Sequence, residues 1–419
     1  MTPSRACRTK QAALGVSALA PMPAALAALT LAFMPAVLAV LALAVMPAVL
    51  PLRHAGAVAQ LSAVPAPRIS WEPRVYVCQK TAGQPVIDGS IADAEWRTAP
   101  WTADFVDIEG QRRPAPNLRT RVKMLWDERF FYVAAEMEEP HLWGTLTERD
   151  AVIYHDDDFE VFIDPDGDTH EYYELELNAL GTVWDLLLVR PYRDGGPAVD
   201  AWDIQGLATA VSLDGTLNDP GDVDTGWSVE MAIPWSVLDD CAHRPCPPRH
   251  GDRWRVNFSR VDWPLEVSDG QYLKRTSEDS GEPLPENNWV WSPQGLVAMH
   301  YPEMWGFVQF SERGPGRLEA DRKGAAAPHA TVALPPSCVE HAGWALRGIY
   351  YEERNIFAAH GSFTSNVSLL DPRPPTTRCF TWPPSLATTP RGFEAWVTTN
   401  DGTLVAIDET GRLRVEPGR

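Results

Sequence analysis

A chain of 419 residues with 36 Lys+Arg against 56 Asp+Glu, net charge −20, is strongly acidic and long enough for a large core and more than one domain. That charge argues against nucleic-acid and anionic-membrane partners, whose phosphates it repels. It suits neutral ligands and cations, and most of it reads as solvated acidic surface.

At the N-terminus, Arg5, Arg8 and Lys10 precede an uncharged Ala/Leu/Val run from Gln11 to Leu52, and Ala57-Val58-Ala59 before Gln60 fits a small-residue cleavage site. We read 1–59 as a signal peptide with an expanded apolar region, because Met-Pro recurs at Met22, Met34 and Met46. The alternative is a retained membrane anchor, since about 20 apolar residues span a bilayer. Prolines within the run disfavour one straight helix, so no stable span is expected after processing. The expected location is secreted, periplasmic or cell-surface, which permits disulfides. Cys7 leaves with the signal, and Cys78, Cys241, Cys246, Cys338 and Cys379 remain. Cys241 and Cys246 are spaced for a small ring, and Cys338 with Cys379 for a tie across the C-terminal region. The sequence leaves the connectivity open.

After a linker at 60–74, residues 75–311 are rich in short strands. Arg119–Trp126, Phe130–Glu136, Trp227–Ile233 and Arg253–Val261 alternate apolar and polar residues, with Gly, Pro, Asp and Asn clusters between them. In the centre, Phe159, Val161 and Ile163 point one way, and Asp158, Glu160 and Phe162 the other. Tyr173, Leu175 and Leu177 oppose Glu174, Glu176 and Asn178 in the same manner. Period two predicts half-buried strands, and Gly167 in the polar loop between them predicts a hairpin. If its pairing centres on Asp168, Glu160 lies opposite Glu176. Like charges so placed destabilise a sheet and call for a cation, an arginine or a shared proton. Pro234 to Leu238 predicts a short helix. The fold class expected is all-β: a two-sheet antiparallel β-sandwich of jelly-roll or immunoglobulin-like type.

Residues 312–336 form a Gly/Pro/Ala-rich linker, and 337–419 a small α+β appendage of helix plus hairpin. Ser337 and Glu340 make a capping box. Leu346, Ile349, Tyr350 and Phe357 repeat at helical spacing, and Gly361 ends the helix. Phe393, Ala395 and Val397 alternate into the turn Asn400-Asp401-Gly402, with 403–407 and 413–415 completing a small sheet. The stretch GIYYEERNIFAAHGSFTSNVSLL is similar over its short span to the helix-to-sheet part of type IV pilin-like proteins; an appendage packed on the sandwich is the reading adopted.

The run DFEVFIDPDGDTHEYYELELNALGTVWDLLL resembles the central strands of carbohydrate-binding module family 9 and its relatives in the DOMON-like superfamily. PVIDGSIADAEW at 85–96, VKMLWDERFFYVAAEMEEP at 122–140, GWSVEMAIPWSVL at 226–238 and HYPEMWGFVQF at 300–310 fit the same pattern. The resemblance implies a sandwich that binds oligo- or polysaccharide, is linked to carbohydrate catabolism and partner glycosidases, and carries calcium. Its sugar-binding members hold a sugar between two Trp rings. One precedes the D-x-x-E of the central strand, which here places Tyr154 ahead of Asp157 and Glu160. For the other, Met299 is nearest by counting and Trp291 lies eight residues earlier. The family's sugar-contacting Arg on the second strand is replaced by Glu176.

The saccharide candidates are therefore Tyr154, Trp291, Glu176, Asn178 and Trp202. Of the loop tryptophans (Trp143, Trp202, Trp263, Trp289 and Trp291), most are expected to fill core. Asp164, Asp166 and Asp168 are the calcium candidates, because hard cations take several oxygens; the loop is not an EF-hand, since Gly167 is misplaced and Leu175 stands where the closing Glu belongs. The competing reading is a solvated acidic turn. Glu160 and Glu176 also define an alternative, a glycoside hydrolase acting through two adjacent carboxyls; otherwise such a pair bonds arginine, with Arg121, Arg255 and Arg260 available. A noncatalytic binder is the reading preferred. A third alternative is b-type haem held by His300 with Met299, Met304 or Met231.

Overall fold

The structure is a computed structural model that describes residues 61–312, 335–370, 375 and 377–418. The segment 1–59 read above as a signal peptide and most of the 312–336 linker fall outside the described residues. In chain order the strands are β1 (Val75–Lys80), β2 (Val106–Asp107), β3 (Thr120–Trp126), β4 (Phe130–Glu138), β5 (Asp158–Asp164), β6 (Tyr172–Asn178), β7 (Val183–Leu188), β8 (Ala198–Val199), β9 (Ala208–Asp214) and β10 (Gly226–Pro234). After the one-turn helix α1 (Trp235–Leu238) come β11 (Arg253–Asp262), β12 (Leu265–Ser268), β13 (Gln271–Lys274), β14 (Asn287–Val290) and β15 (Gly306–Ser311).

Thirteen of these strands join in one curled sheet in the order β8-β7-β6-β5-β11-β15-β1-β3-β4-β10-β9, with β14 on β11 and β2 on β14. The protein is mostly β, as the alternation predicts. The expected sandwich is nonetheless mixed in direction: β1 runs parallel to both β15 and β3 and stitches the halves together. The curl buries an aromatic core in which Trp254 meets Trp235 at 5.4 Å and Phe310 at 5.4 Å, and Phe131 meets Trp235 at 5.8 Å. Burying each such ring contributes about 1.5–3 kcal/mol.

The β5–β6 hairpin has the anticipated register, with Glu160 opposite Glu176. One expectation fails: these strands are not half-buried, because every residue of β5 and β6 is buried. The apolar side packs into the sandwich, where the Tyr173 hydroxyl donates to the Leu238 carbonyl at 2.9 Å. The polar side is covered as well, since the segment 299–305 lays Met299 and Trp305 against Phe162, Tyr172 and Leu186.

The appendage is α2 (Cys338–His360) on an antiparallel meander of β16 (Ser385–Thr389), β17 (Gly392–Thr398), β18 (Leu404–Asp408) and β19 (Leu413–Glu416). Both halves of the Ser337/Glu340 capping box form, and Gly361 ends the helix at φ 72°. The two bonds satisfy amides that the first helical turn leaves free, and only glycine adopts that φ without strain. The appendage seats on the sandwich through buried charge. Arg193 pairs with Glu303 at 2.8 Å, the Tyr351 hydroxyl donates to Glu303, and Arg354 with the Tyr350 hydroxyl holds Asp194. Arg412 reaches back to Asp168 at 2.7 Å.

Cys338 and Cys379 form a disulfide. The Cys241–Cys246 ring does not form: Cys246 is a free thiol whose Sγ faces the Trp235 carbonyl. Cys78 is free and buried.

Candidate functional site

Strand pairing puts Asp158, Glu160 and Phe162 of β5 on one face with Glu174, Glu176 and Asn178 of β6. Trp184 of β7 lies beside Glu176, and Ser259 of β11 beside Glu160. This acidic face ends under two rings that reach solvent. Tyr154 is 40 % exposed and Tyr192 is 50 % exposed, so both offer surface to a ligand. The backbone of Tyr154 is fixed at both ends of the residue: its N–H donates to Glu176 Oε2 at 3.0 Å, and its carbonyl accepts from Trp263 Nε1 at 2.9 Å. Its ring lies 6.5 Å from Trp184. Tyr192 packs edge-on to His300 at 4.5 Å, and His300 Nδ1 lies 2.9 Å from the Tyr172 hydroxyl.

The electrostatics of this face are unusual. Burial pushes the Glu160 carboxyl up to about 7. Burial, and then the charge of Glu160, raise Glu174 and Glu176 well above the ordinary carboxylate range, and burial followed by Glu160 does the same to Asp158. The same acid acts on the rings: burial and then Glu174, with Asp200, Glu176 and Tyr154 behind them, raise the Tyr192 hydroxyl to about 12. Burial, and then Arg193, hold His300 down to about 3, so its imidazole is neutral at physiological pH.

Of the sequence candidates, Tyr154 and Glu176 meet on this face. Trp291 does not: it is 2 % exposed, packs against Phe258 at 5.9 Å, and a Cβ on Gly306 would lie 2.4 Å from its ring. It fills core, and no ligand can stack on it. Trp202 stacks on Tyr173 at 5.0 Å, and Tyr173 points away from the acidic face. Asn178 is spent on the backbone and on Asp156. Its Nδ2 donates to the Leu146 carbonyl and to Asp156, and its Oδ1 accepts from Leu180 and Thr182. Trp143 and Trp289 are buried.

Asp164, Asp166 and Asp168 do come together, with oxygens within 4.8 Å of one another. The fit to calcium is partial. Asp164 accepts from the Gly167 and Thr169 amides at 2.9 and 3.0 Å, and Arg412 already faces Asp168. Burial, then Asp166, still raise Asp168 to about 7 against the pull of Arg412. The haem candidates are not gathered: Met299 packs beside Trp305, Met304 packs into the appendage core, and Met231 lies on β10. The arginines proposed as partners of the Glu160–Glu176 pair serve other groups. Arg260 pairs with Glu139 and Asp262, Arg121 with Glu136, and Arg255 donates to the Trp305 carbonyl.

Sequence reading missed Tyr192 and Trp184, and named His300 only as a haem ligand. Trp184 was within reach, since alternation along β7 puts it with Leu186 and Leu188. It also missed a cleft of about 520 Å3 at the seam with the appendage, lined by Trp71, Trp344, Arg253, Arg255 and Arg347.

The fold and site together place a buried acidic face of the sheet beside two exposed rings, Tyr154 and Tyr192. Residues 87–246 match the family described as carbohydrate family 9 binding domain-like. Over 156 residues, 37 % of this chain, it is 26 % identical to exoglucanase XynX of Acetivibrio thermocellus and 25 % identical to endo-1,4-beta-xylanase A of Thermoanaerobacterium saccharolyticum. The chain spans only 12 % and 11 % of those curated relatives. Among solved structures it is similar to family 9 carbohydrate-binding modules from Caldicellulosiruptor kristjanssonii. The complex with cellotriose is 17 % identical with a TM-score of 0.38, covering 63 % of this chain and all (100 %) of that one. The complex with glucose is 19 % identical with a TM-score of 0.37, covering 56 % and 96 %.

Proposed function

We propose that the protein is an exported, noncatalytic carbohydrate-binding protein that takes oligo- or polysaccharide on the face between Tyr154 and Tyr192. The observation that carries this is the pair of exposed rings over buried carboxylates, inside a segment of carbohydrate-binding type. Sugar rings offer flat C–H faces to aromatics, and the exposed Tyr154 and Tyr192 supply the rings, with their hydroxyls as polar partners. Export rests on the basic, apolar and small-residue pattern of 1–59, and a role beside glycosidases rests on the relatives being glycan-degrading enzymes.

Burial separates this reading from hydrolysis. Glu160 is 5 % and Glu176 1 % exposed. Paired glycosidase carboxyls stand about 5–9.5 Å apart with the scissile bond between them, and the depth of this pair supports binding over hydrolysis.

The test is binding of the full chain to a panel containing glucose, cellotriose and xylo-oligosaccharides. Tyr154→Ala and Tyr192→Ala should each weaken binding about tenfold, or ~1.4 kcal/mol, whereas Trp202→Ala should leave it intact. Equal binding by both tyrosine variants would move the site elsewhere.

A further inference from the structure

Among the described residues, four groups of three carboxylates have oxygens close enough to share an ion. Three of them already have an arginine. Arg260 serves Glu139 and Asp262 beside Asp157, at 2.6 and 3.1 Å. Arg149 serves Asp150, Asp185 and Asp203, and Arg412 serves Asp168 of the 164–168 loop. The fourth, Asp158 with Glu160 and Glu176, has no ion pair at all among the described residues. It also contains two buried oxygens without a partner, Asp158 Oδ2 and Glu160 Oε2, while Asp158 is fully buried. Ser259 Oγ, on the residue paired with Glu160 across the sheet, is buried without a well-formed hydrogen bond, though it stands close enough to Glu160 to pull its pKa down.

We propose that Asp158, Glu160 and Glu176 hold one divalent cation of the hard, oxygen-preferring class, seated beneath Tyr154. The geometry fits without rearrangement. Calcium–oxygen bonds are about 2.3–2.6 Å long, so two end to end span about 5 Å, and these oxygens lie within 4.8 Å of one another. Each carboxylate offers one oxygen to the site, while Glu176 Oε2 accepts the Tyr154 amide and Asp158 Oδ1 the Val261 amide, so the Ser259 hydroxyl and water would complete the six to eight oxygens calcium takes. One ligand oxygen also holds the backbone above it, since Glu176 Oε2 accepts the Tyr154 amide. An ion that fixes Glu176 therefore fixes the backbone from which the exposed ring projects. Where a basic side chain would otherwise neutralise the floor of the face, this chain provides a cation site.

The experiment is calcium titration by calorimetry of EDTA-stripped full-chain protein, with Glu160→Gln/Glu176→Gln, Asp158→Asn and Asp164→Asn/Asp166→Asn alongside. Wild type and the Asp164/Asp166 variant should take up calcium at a site that the other two variants lose, with Kd rising at least about a hundredfold. Glutamine keeps the shape and removes repulsion, so the variants should fold; native circular dichroism checks this, and Asp158→Asn reports independently. No uptake by wild type, which would mean the carboxyls share protons instead, overturns the site. So does uptake undiminished in Glu160→Gln/Glu176→Gln, or lost only in Asp164→Asn/Asp166→Asn. The positioning of Tyr154 rests on the saccharide reading, and it predicts at least about tenfold weaker cellotriose binding in EDTA. Cellotriose binding unchanged by EDTA while calcium uptake is intact overturns the positioning role. Failure of every saccharide with calcium present strikes the saccharide reading, and calorimetry decides the cation site by itself.

Discussion

Glu303→Gln is expected to lower stability by about 3–5 kcal/mol at neutral pH, the usual cost of removing one partner from a buried ion pair. Glu303 is buried in the seam between sandwich and appendage and accepts from Arg193 at 2.8 Å and from the Tyr351 hydroxyl, with Arg347 at 3.8 Å. The amide keeps the shape but leaves Arg193 and Arg347 as buried cations with less opposing charge. Arg193 retains Asp194 at 3.3 Å, which keeps the loss toward the lower end. The pH dependence gives a second reading of the same interaction. Burial would raise the Glu303 pKa, but Arg193 and Arg347 outweigh it and hold it at about 2 against an ordinary 4.5. A depressed carboxylate contributes stability that is fully present above pH ~4.5 and lost as pH falls toward 2. At about 1.36 kcal/mol per unit, that contribution is about 3 kcal/mol. Urea melts at pH 7 and pH 3 check both claims: wild type should lose this part of its stability in acid, and Glu303→Gln should lack that part of the slope. A variant within about 1 kcal/mol of wild type at pH 7 would mean that the seam does not depend on this charge.

The sheet centre was legible because period two is a local property. The alternation in 158–163 and 173–178 fixed which side chains share a face, and the short polar loop fixed Glu160 opposite Glu176. What covers that face was not local. The segment 299–305 lies more than a hundred residues along the chain, so the strands looked half-buried when both sides were packed. Trp291 misled for a related reason. A tryptophan in a Pro/Ser-rich stretch has the same sequence signature whether it projects or fills core, and here the absent side chain of Gly306 makes room for the ring. Charge compensation was equally remote: Arg412 reaches Asp168 across 244 positions, so the 164–168 loop looked more exposed to its own repulsion than it is. The helix cap at Ser337 and the stop at Gly361 were readable because both act within one turn.

Cys338→Ser with Cys379→Ser is expected to destabilise the protein by about 4 kcal/mol. The bond closes a segment of 41 residues, and in the chain-entropy account a loop of that length raises the free energy of the unfolded chain by about that much. Its Cα–Cα distance of 5.8 Å is ordinary. Cys338 is the first residue of α2, and Cys379 precedes Phe380, which bridges to Thr399 beyond β17. The crosslink therefore ties the start of the helix to the meander on which it packs. The cluster it closes holds Leu346, Ile349, Tyr350, Phe393, Val397 and Val405, so the reduced appendage should keep its fold while losing resistance to urea. The Glu303 network stabilises the native seam, whereas the disulfide acts mainly on the unfolded ensemble. Their losses should consequently add in a combined variant to within about 0.5 kcal/mol, as independent sites do. Urea melts of the four proteins, with dithiothreitol on wild type as a chemical counterpart, measure this. A loss under about 1 kcal/mol for the double serine variant would show that the reduced unfolded chain is already compact across this loop.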